Sequence, residues 1–385
     1  MNVEREIAGF ALPFAAGVLV TAYAESLFCG DFPSINFYAL LLIFIAVIPL
    51  LKSSDFNRRG PVLWILTGAA ALGCGVLSAA TSLSLTDMPI SAFSSSCREI
   101  GIWLQEQIDC IPFSSKDTSS LVKALLTGEK SSLSYEIRSA FRDSGASHIL
   151  ALSGLHLGII YGILSKTTAV LGNTRKMRAV RCIFIICICG IYTLATGAGD
   201  SLVRAYIFII LRELAKMTSR YHGLRQVLLA SLVVQLTIDP LAVRSISFQL
   251  SYAEMAGIAF IYPWLQGFWD RVIKLIQDIK SEEDSNDKTP AEMVSKAMQW
   301  VWNTVALSIA CQITTGPLAY AYFGTFPVHF MLTNLLSLPL TGLLIPCALL
   351  TVVLSTLGCC PQILIQATEW LVSTLIWMLK VISTM

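Results

Sequence analysis

Apolar runs about as long as a bilayer is thick recur along almost the whole chain. A helix of about 20 apolar residues crosses the hydrocarbon, and every backbone polar group inside it must be satisfied internally. The chain is therefore expected to be an all-α polytopic integral membrane protein. Candidate spans are 7–29, 37–51, 62–84, 148–170, 180–196, 201–216, 224–237, 246–265, 302–323, 328–357 and 363–382. That makes about eleven, some of them broken or re-entrant. The run at 328–357 is long enough for two segments, interrupted near Pro339 or Pro346. Composition agrees: 55% of the 385 residues are hydrophobic, 14% are charged, and mean hydropathy is +0.68. A net charge of +2 points to no particular partner.

The start, "MNVEREIAGFALPF", lacks a basic leader and a small-residue cleavage site, so it is expected to be a retained first span. Lys and Arg concentrate in three short loops, around 52–59, 175–181 and 216–225. All three become cytoplasmic if the N-terminus is inside, the orientation expected of this multi-pass chain. Residues 1–84 then form an N-terminal group of spans, and 356–385 a C-terminal hydrophobic segment. Residues 85–146 form an extracytoplasmic segment with two amphipathic stretches, "CREIGIWLQEQIDCI" and 118–126. Residues 266–299 read as a solvated cytoplasmic loop. Most of the eleven cysteines lie inside apolar runs and are expected to act as small apolar fillers; no zinc spacing is present.

Polar residues inside spans are the informative ones, because the bilayer makes them costly. In "FRDSGASHILALSGLH", a helix running from about Ala146 would set His148 and His156 two turns apart. It would make Ser153 and His156 i, i+3 neighbours, and Gly154 would begin a small-residue contact with Gly158. In "TGAGDSLVRAYIF", Asp200 and Arg204 are i, i+4 in the favourable order for an ion pair, and Asp200 or Ser201 could cap the helix. Gln249, Ser251 and Glu254 interrupt a third run, and Gln312, His329 and Asn334 a fourth. Each has a bland reading. Hydroxyls bond back to their own helix, lone amides join helices, and the Asp–Arg pair sits at an interface. A Ser and His on one helix rarely align as nucleophile and base, and no nucleotide-binding or metalloprotease motif occurs. No catalytic residue, metal site or cofactor is expected, and the chain is not expected to be an enzyme.

The run "ALLTGEKSSLSYEIRSAFRDSGASHILALSGLHLGII" closely resembles the hallmark of the ComEC family, the inner-membrane DNA-uptake channel of competent bacteria. The matching residues are Leu125, Leu126, Gly128, Leu133, Ser134, Ser144, Gly145, His148, Ser153, Gly154, Leu155 and His156. Arg204-Ala205, "SFQLSYAEMAGI" and "FGTFPVHFMLTNLLSLPLTGLLIP" follow in the same order. The resemblance covers about 118–355 and implies a competence (channel) domain there, translocating single-stranded DNA into the cytoplasm. It implies a short form, without the extracellular OB-like insert or the nuclease domain of longer members. Membrane lipid, a separate nuclease, a periplasmic DNA receptor and a cytoplasmic helicase are the implied partners. A strand needs cations and aromatic faces along its path. Arg138, Arg142, Arg204 and Arg244 are candidates for the first, and Tyr192, Tyr206, Tyr252 and Tyr320 for the second. Two other readings stand beside this one. In a proton-coupled small-solute or ion transporter, Asp200, Glu254 and His156 would carry protons. In a membrane docking subunit for a soluble DNA-processing enzyme, the acidic loop 278–292 would be the handle.

Overall fold

The computed structural model describes residues 3–23, 39, 61–84, 92–150, 152, 154–172, 174–217, 223–268, 271, 288–324 and 330–384. Most of the span expected at 37–51 lies outside them, as do 269–270 and 272–287 of the loop expected at 266–299; the described part of that loop is helical, not extended loop. Every regular element described is helical. In chain order these are α1 (Val3–Tyr23), α2 (Pro61–Ser84), α3 (Ala92–Asp109), α4 (Lys116–Thr127), α5 (Tyr135–Asp143), α6 (Ser147–Leu150) and α7 (Gly154–Thr168). Then come α8 (Arg175–Ala195), α9 (Asp200–Met217), α10 (Leu224–Ile238) and α11 (Ile246–Ala256), the last followed by a π-helical turn, Gly257–Ile261. Last are α12 (Lys288–Phe323), α13 (Phe330–Thr356) and α14 (Gln362–Ser383).

By length and composition, three described helical stretches can cross a membrane: Lys176–Ala195, Phe330–Thr356 and Gln362–Ser383. Shorter apolar helices are Ile7–Tyr23, Thr67–Ala80 and Leu224–Ile238. Two further expected spans differ for visible reasons. α9 carries Asp200, Arg204, Arg212, Glu213 and Lys216 within eighteen residues. The expected helix over 148–170 is not continuous: Leu152 is non-helical, between α6 and α7. The interruption expected in 328–357 is absent, since α13 runs through both Pro339 and Pro346. A proline removes one ladder bond, and its packed neighbours hold the rest.

The chain divides into two compact units. The first takes in Met1–Ser95, Leu171–Gly190 and Ala198–Tyr252. In its core Phe14, Val18 and Ala22 of α1 meet Ala71 and Ala79 of α2, with Leu236, Ala242, Val243 and Phe248. The α1–α2 crossing is close because glycine faces backbone from both sides. A Cβ on Gly17 would stand 2.2 Å from the Leu72 carbonyl oxygen, and one on Gly75 2.1 Å from that of Phe14. Gly75→Leu is therefore expected to force the helices apart and cost about 1–3 kcal/mol or more. A lowered melting temperature of the purified protein would show it, and an unchanged one would count against this crossing.

The second unit takes in Ser96–Val170, Ile191–Gly197 and Ala253–Met385. Short helices pack directly on long ones here. Leu121, Val122, Leu125 and Leu126 of α4 and Ile137 and Phe141 of α5 share a core with Leu344, Ile345 and Ala348 of α13 and Val372, Leu375 and Leu379 of α14. The α3 helix keeps Ile100, Ile102 and Trp103 exposed, as an interfacial helix would.

The motif residues of 125–145 build this arrangement. Ser115 caps α4, its side chain accepting from the Asp117 amide, and Gly128 closes the helix at φ 79°, its amide donating to Ala124 O at 3.0 Å. Ser134 caps α5, accepting from Ile137 N, and Gly145 leaves it at φ 80°. Only glycine takes that left-handed backbone without strain. Between these caps, Glu129 accepts from Ser131 N at 2.6 Å, and hydrogen bonding from the Ser131 side chain, then from its backbone, holds its carboxyl below the usual range. A depressed acid stabilises above its unfolded pKa, and the contribution disappears as pH falls through the lowered value. Acidification from about pH 6 to 3 should loosen this turn slightly, by well under about 1 kcal/mol for so exposed a group. Glu129→Gln should flatten that part of a melting-temperature profile against pH.

Candidate functional site

Each unit holds one cluster of polar side chains among apolar helices. In the first unit the centre is Arg204 of α9, whose residue surface is only 5% exposed. Its guanidinium donates to the Ser251 carbonyl on α11 and lies over the Tyr252 ring, 5.8 Å from the centroid. Ser201 Oγ donates to Ser251 Oγ at 3.0 Å. Asp200 accepts from Ser245 Oγ through its carboxylate and from Gln235 Nε2, at 3.4 Å, through its carbonyl. Tyr252 Oη is 3.1 Å from Gln235 Oε1, and Gln249 Nε2 donates to Tyr23 Oη at 2.8 Å and to Val243 O at 2.9 Å. Three candidates named from sequence, Asp200, Arg204 and Ser251, thus share one network across α9, α10 and α11, while Gln249 bonds to Tyr23 and Val243. Asp200 and Arg204 use their carboxylate and guanidinium on partners in α11 and the turn before it. Gln235 and Ser245 complete the network, and neither stood out in the sequence: Gln235 is one polar residue in the apolar run "SLVVQLTI".

In the second unit Gly145 turns the chain into α6, and His148 Nδ1–H donates back to the Gly145 carbonyl at 3.2 Å. The His148 side chain keeps an exposed surface. Glu254, at the end of α11 and also exposed, is within electrostatic reach of it, as is His156. His156 lies in the first turn of α7, 1% exposed, so the two histidines sit on separate helices. Gly154 is the first residue of α7, and Ser153 lies outside the described residues. Thr333 Oγ1 donates to Ser144 O at 2.7 Å and fixes the start of α13 to the end of α5. Next to it, Asn334 Nδ2 donates to Ser308 Oγ of α12 at 3.3 Å. Tyr192 Oη donates to Leu126 O at 2.9 Å, at the C-terminal end of α4. A separate open cavity of about 570 Å³ lies along α12, between Ile309, Ile313, Pro317 and Tyr320, with Gln312 its polar wall. Among the described residues no three His, Cys, Asp or Glu side chains are grouped to hold a metal ion.

The model of the competence-protein family matches residues 125–385, well over half the chain. The chain belongs to the competence-protein family. The match begins in the last turn of α4 and takes in α5, both histidines, Glu254 and Asn334. Among similar proteins, "ComE operon protein 3" of Bacillus subtilis (strain 168) is 28% identical over 137 residues, covering 36% of this chain and 17% of that protein. "Uncharacterized protein YcaI" of Escherichia coli (strain K12) is 24% identical over 271 residues, 68% of this chain and 33% of that protein. The aligned chain thus spans a third or less of the length of these two relatives. No solved structure matches.

Proposed function

We propose that this chain is a conduit that passes single-stranded DNA through the bacterial inner membrane to the cytoplasm during competence. The match to the competence family over 125–385 carries the reading. The polar clusters support it, because apolar helices that bury Arg204, His156, Ser251 and Gln235 need those groups for more than packing. In this reading the chain does no bond chemistry of its own. Receptor, nuclease and helicase functions belong to other proteins or other segments. The chain is a multi-pass inner-membrane protein with its N-terminus in the cytoplasm. Deleting the gene in a naturally transformable host should reduce transformant counts to background, and a plasmid copy should restore them. Unchanged counts in a host without a second copy would overturn the proposal.

The proton-coupled transporter remains the second reading, favoured by Glu254 standing within reach of His148. Purified protein in liposomes under an imposed proton gradient separates the two. Solute or ion accumulation without DNA would favour the transporter. The docking reading rests on the loop 278–292, of which 278–287 lies outside the described residues and 288–292 is the start of α12.

A further inference from the structure

Hydroxyls inside apolar helices ordinarily bond back to their own backbone. Thr314, Thr315, Thr351 and Thr368 all do so, donating to carbonyls three or four residues earlier. Ser337 and Thr341 of α13 do not. Both residues are fully buried, and neither hydroxyl has a hydrogen-bond partner among the described residues. One turn before them, Asn334 gives its Nδ2 to Ser308, and its buried Oδ1 is likewise without a partner. Positions 334, 337 and 341 are i, i+3 and i+7, one face of the helix. The Ser308 bond shows that this face meets α12 at its start. One turn along α12, Gln312 buries an Nε2 that also lacks a partner among the described residues.

Each such group destabilises the fold while it stays dry. Four of them together weigh heavily on a fold that is only marginally stable. From Gln312 to the level of Thr341 they extend about 16 Å along the helix pair, at 1.5 Å per residue, or half of a hydrocarbon core about 30 Å thick. These four are neutral hydroxyl and amide groups, so their natural partner is water. We propose that the Asn334–Ser337–Thr341 face of α13, continued by Ser308 and Gln312 of α12, is the hydrophilic wall of the translocation path. It is closed here and wetted when the conduit opens. The inference rests on the conduit reading above and adds which face lines the path. The cations and aromatic faces that a strand needs would stand elsewhere along the path, and this wall would meet its phosphates and bases through bridging water.

Cysteine labelling tests this. In a chain whose native cysteines are replaced by serine, single cysteines go at 337, 341 and 343. Leu343 is 64% exposed on the same helix and faces lipid in this reading. A charged, water-soluble methanethiosulfonate is applied to cells, and labelling is followed by mass spectrometry. Thiols react as thiolates, which need water, so positions 337 and 341 should label about tenfold faster than 343 or more. Labelling at 343 as fast as at 337 and 341, or no labelling at 337 and 341, would overturn the proposal. Ser337→Ala and Thr341→Val guard against poorly folded cysteine variants. Each removes a dry hydroxyl, so each should raise the melting temperature and yet lower uptake. A lower melting temperature would show a hydroxyl already satisfied, and would also overturn it. Labelling needs no DNA. A labelled face in a chain whose deletion leaves transformation unchanged would remove the DNA reading alone.

Discussion

Arg204→Ala is expected to abolish DNA uptake and to destabilise the first unit by about 2–4 kcal/mol, the range for breaking a buried charge-assisted arrangement. The guanidinium ties α9 to α11 at two points, the Ser251 carbonyl and the Tyr252 ring. Removing it leaves that carbonyl short of its donor and takes the cation from the ring, while Asp200 keeps its bond from Ser245. The effect should therefore spread through Ser251 and Tyr252 and spare the start of α9. Arg204→Lys should recover only part of it, because an ammonium cannot lie flat on a ring while reaching the carbonyl. Transformant counts and the melting temperature of the purified protein are the two readings. Wild-type values for the alanine variant in both would reduce Arg204 to a bystander.

His156→Ala is expected to abolish uptake while the protein reaches the membrane in normal amount. The imidazole is almost fully enclosed at the start of α7, within electrostatic reach of His148. Losing it should cost about 1–3 kcal/mol through a small cavity and lost polar contact, too little to prevent insertion. His156→Gln keeps a nitrogen donor at similar reach and is expected to retain partial uptake. Quantifying the chain in isolated membranes beside transformant counts separates function from folding. Full uptake by His156→Ala would assign the ring to packing.

Much of the second unit was legible in local signals. Gly128, Ser134 and Gly145 are stop and start marks that any helix reading recognises, and they fall where α4 ends, α5 begins and α5 is left behind. The break at Leu152 was not legible, because "SHILALSGLHLG" keeps enough apolar residues to read as one span, and hydropathy has no term for a turn inside such a run. The i, i+4 spacing of Asp200 and Arg204 suggested each as the other's partner. Ser245 and Ser251, some 45 residues on, compete for the same two groups, and no local pattern announces them. Pro339 and Pro346 misled in the opposite direction. They break an isolated helix, but α13 is held by its neighbours on both sides of each ring.

Those two prolines set the mechanics of α13. Neither has an amide hydrogen, so the ladder lacks the bonds to the carbonyls of Leu335 and Gly342. The helix is then three short rods joined by two compliant joints. The last rod is clamped by the packing of Ala348 and Val352 with the α14 residues of the core, and by the Thr351–Thr368 hydroxyl contact at 2.9 Å. The first rod is tied at Thr333 and Asn334. Stress applied at the Thr333 end reaches the first joint before it reaches the clamp, so the helix can bend near Pro339 while its far end stays fixed.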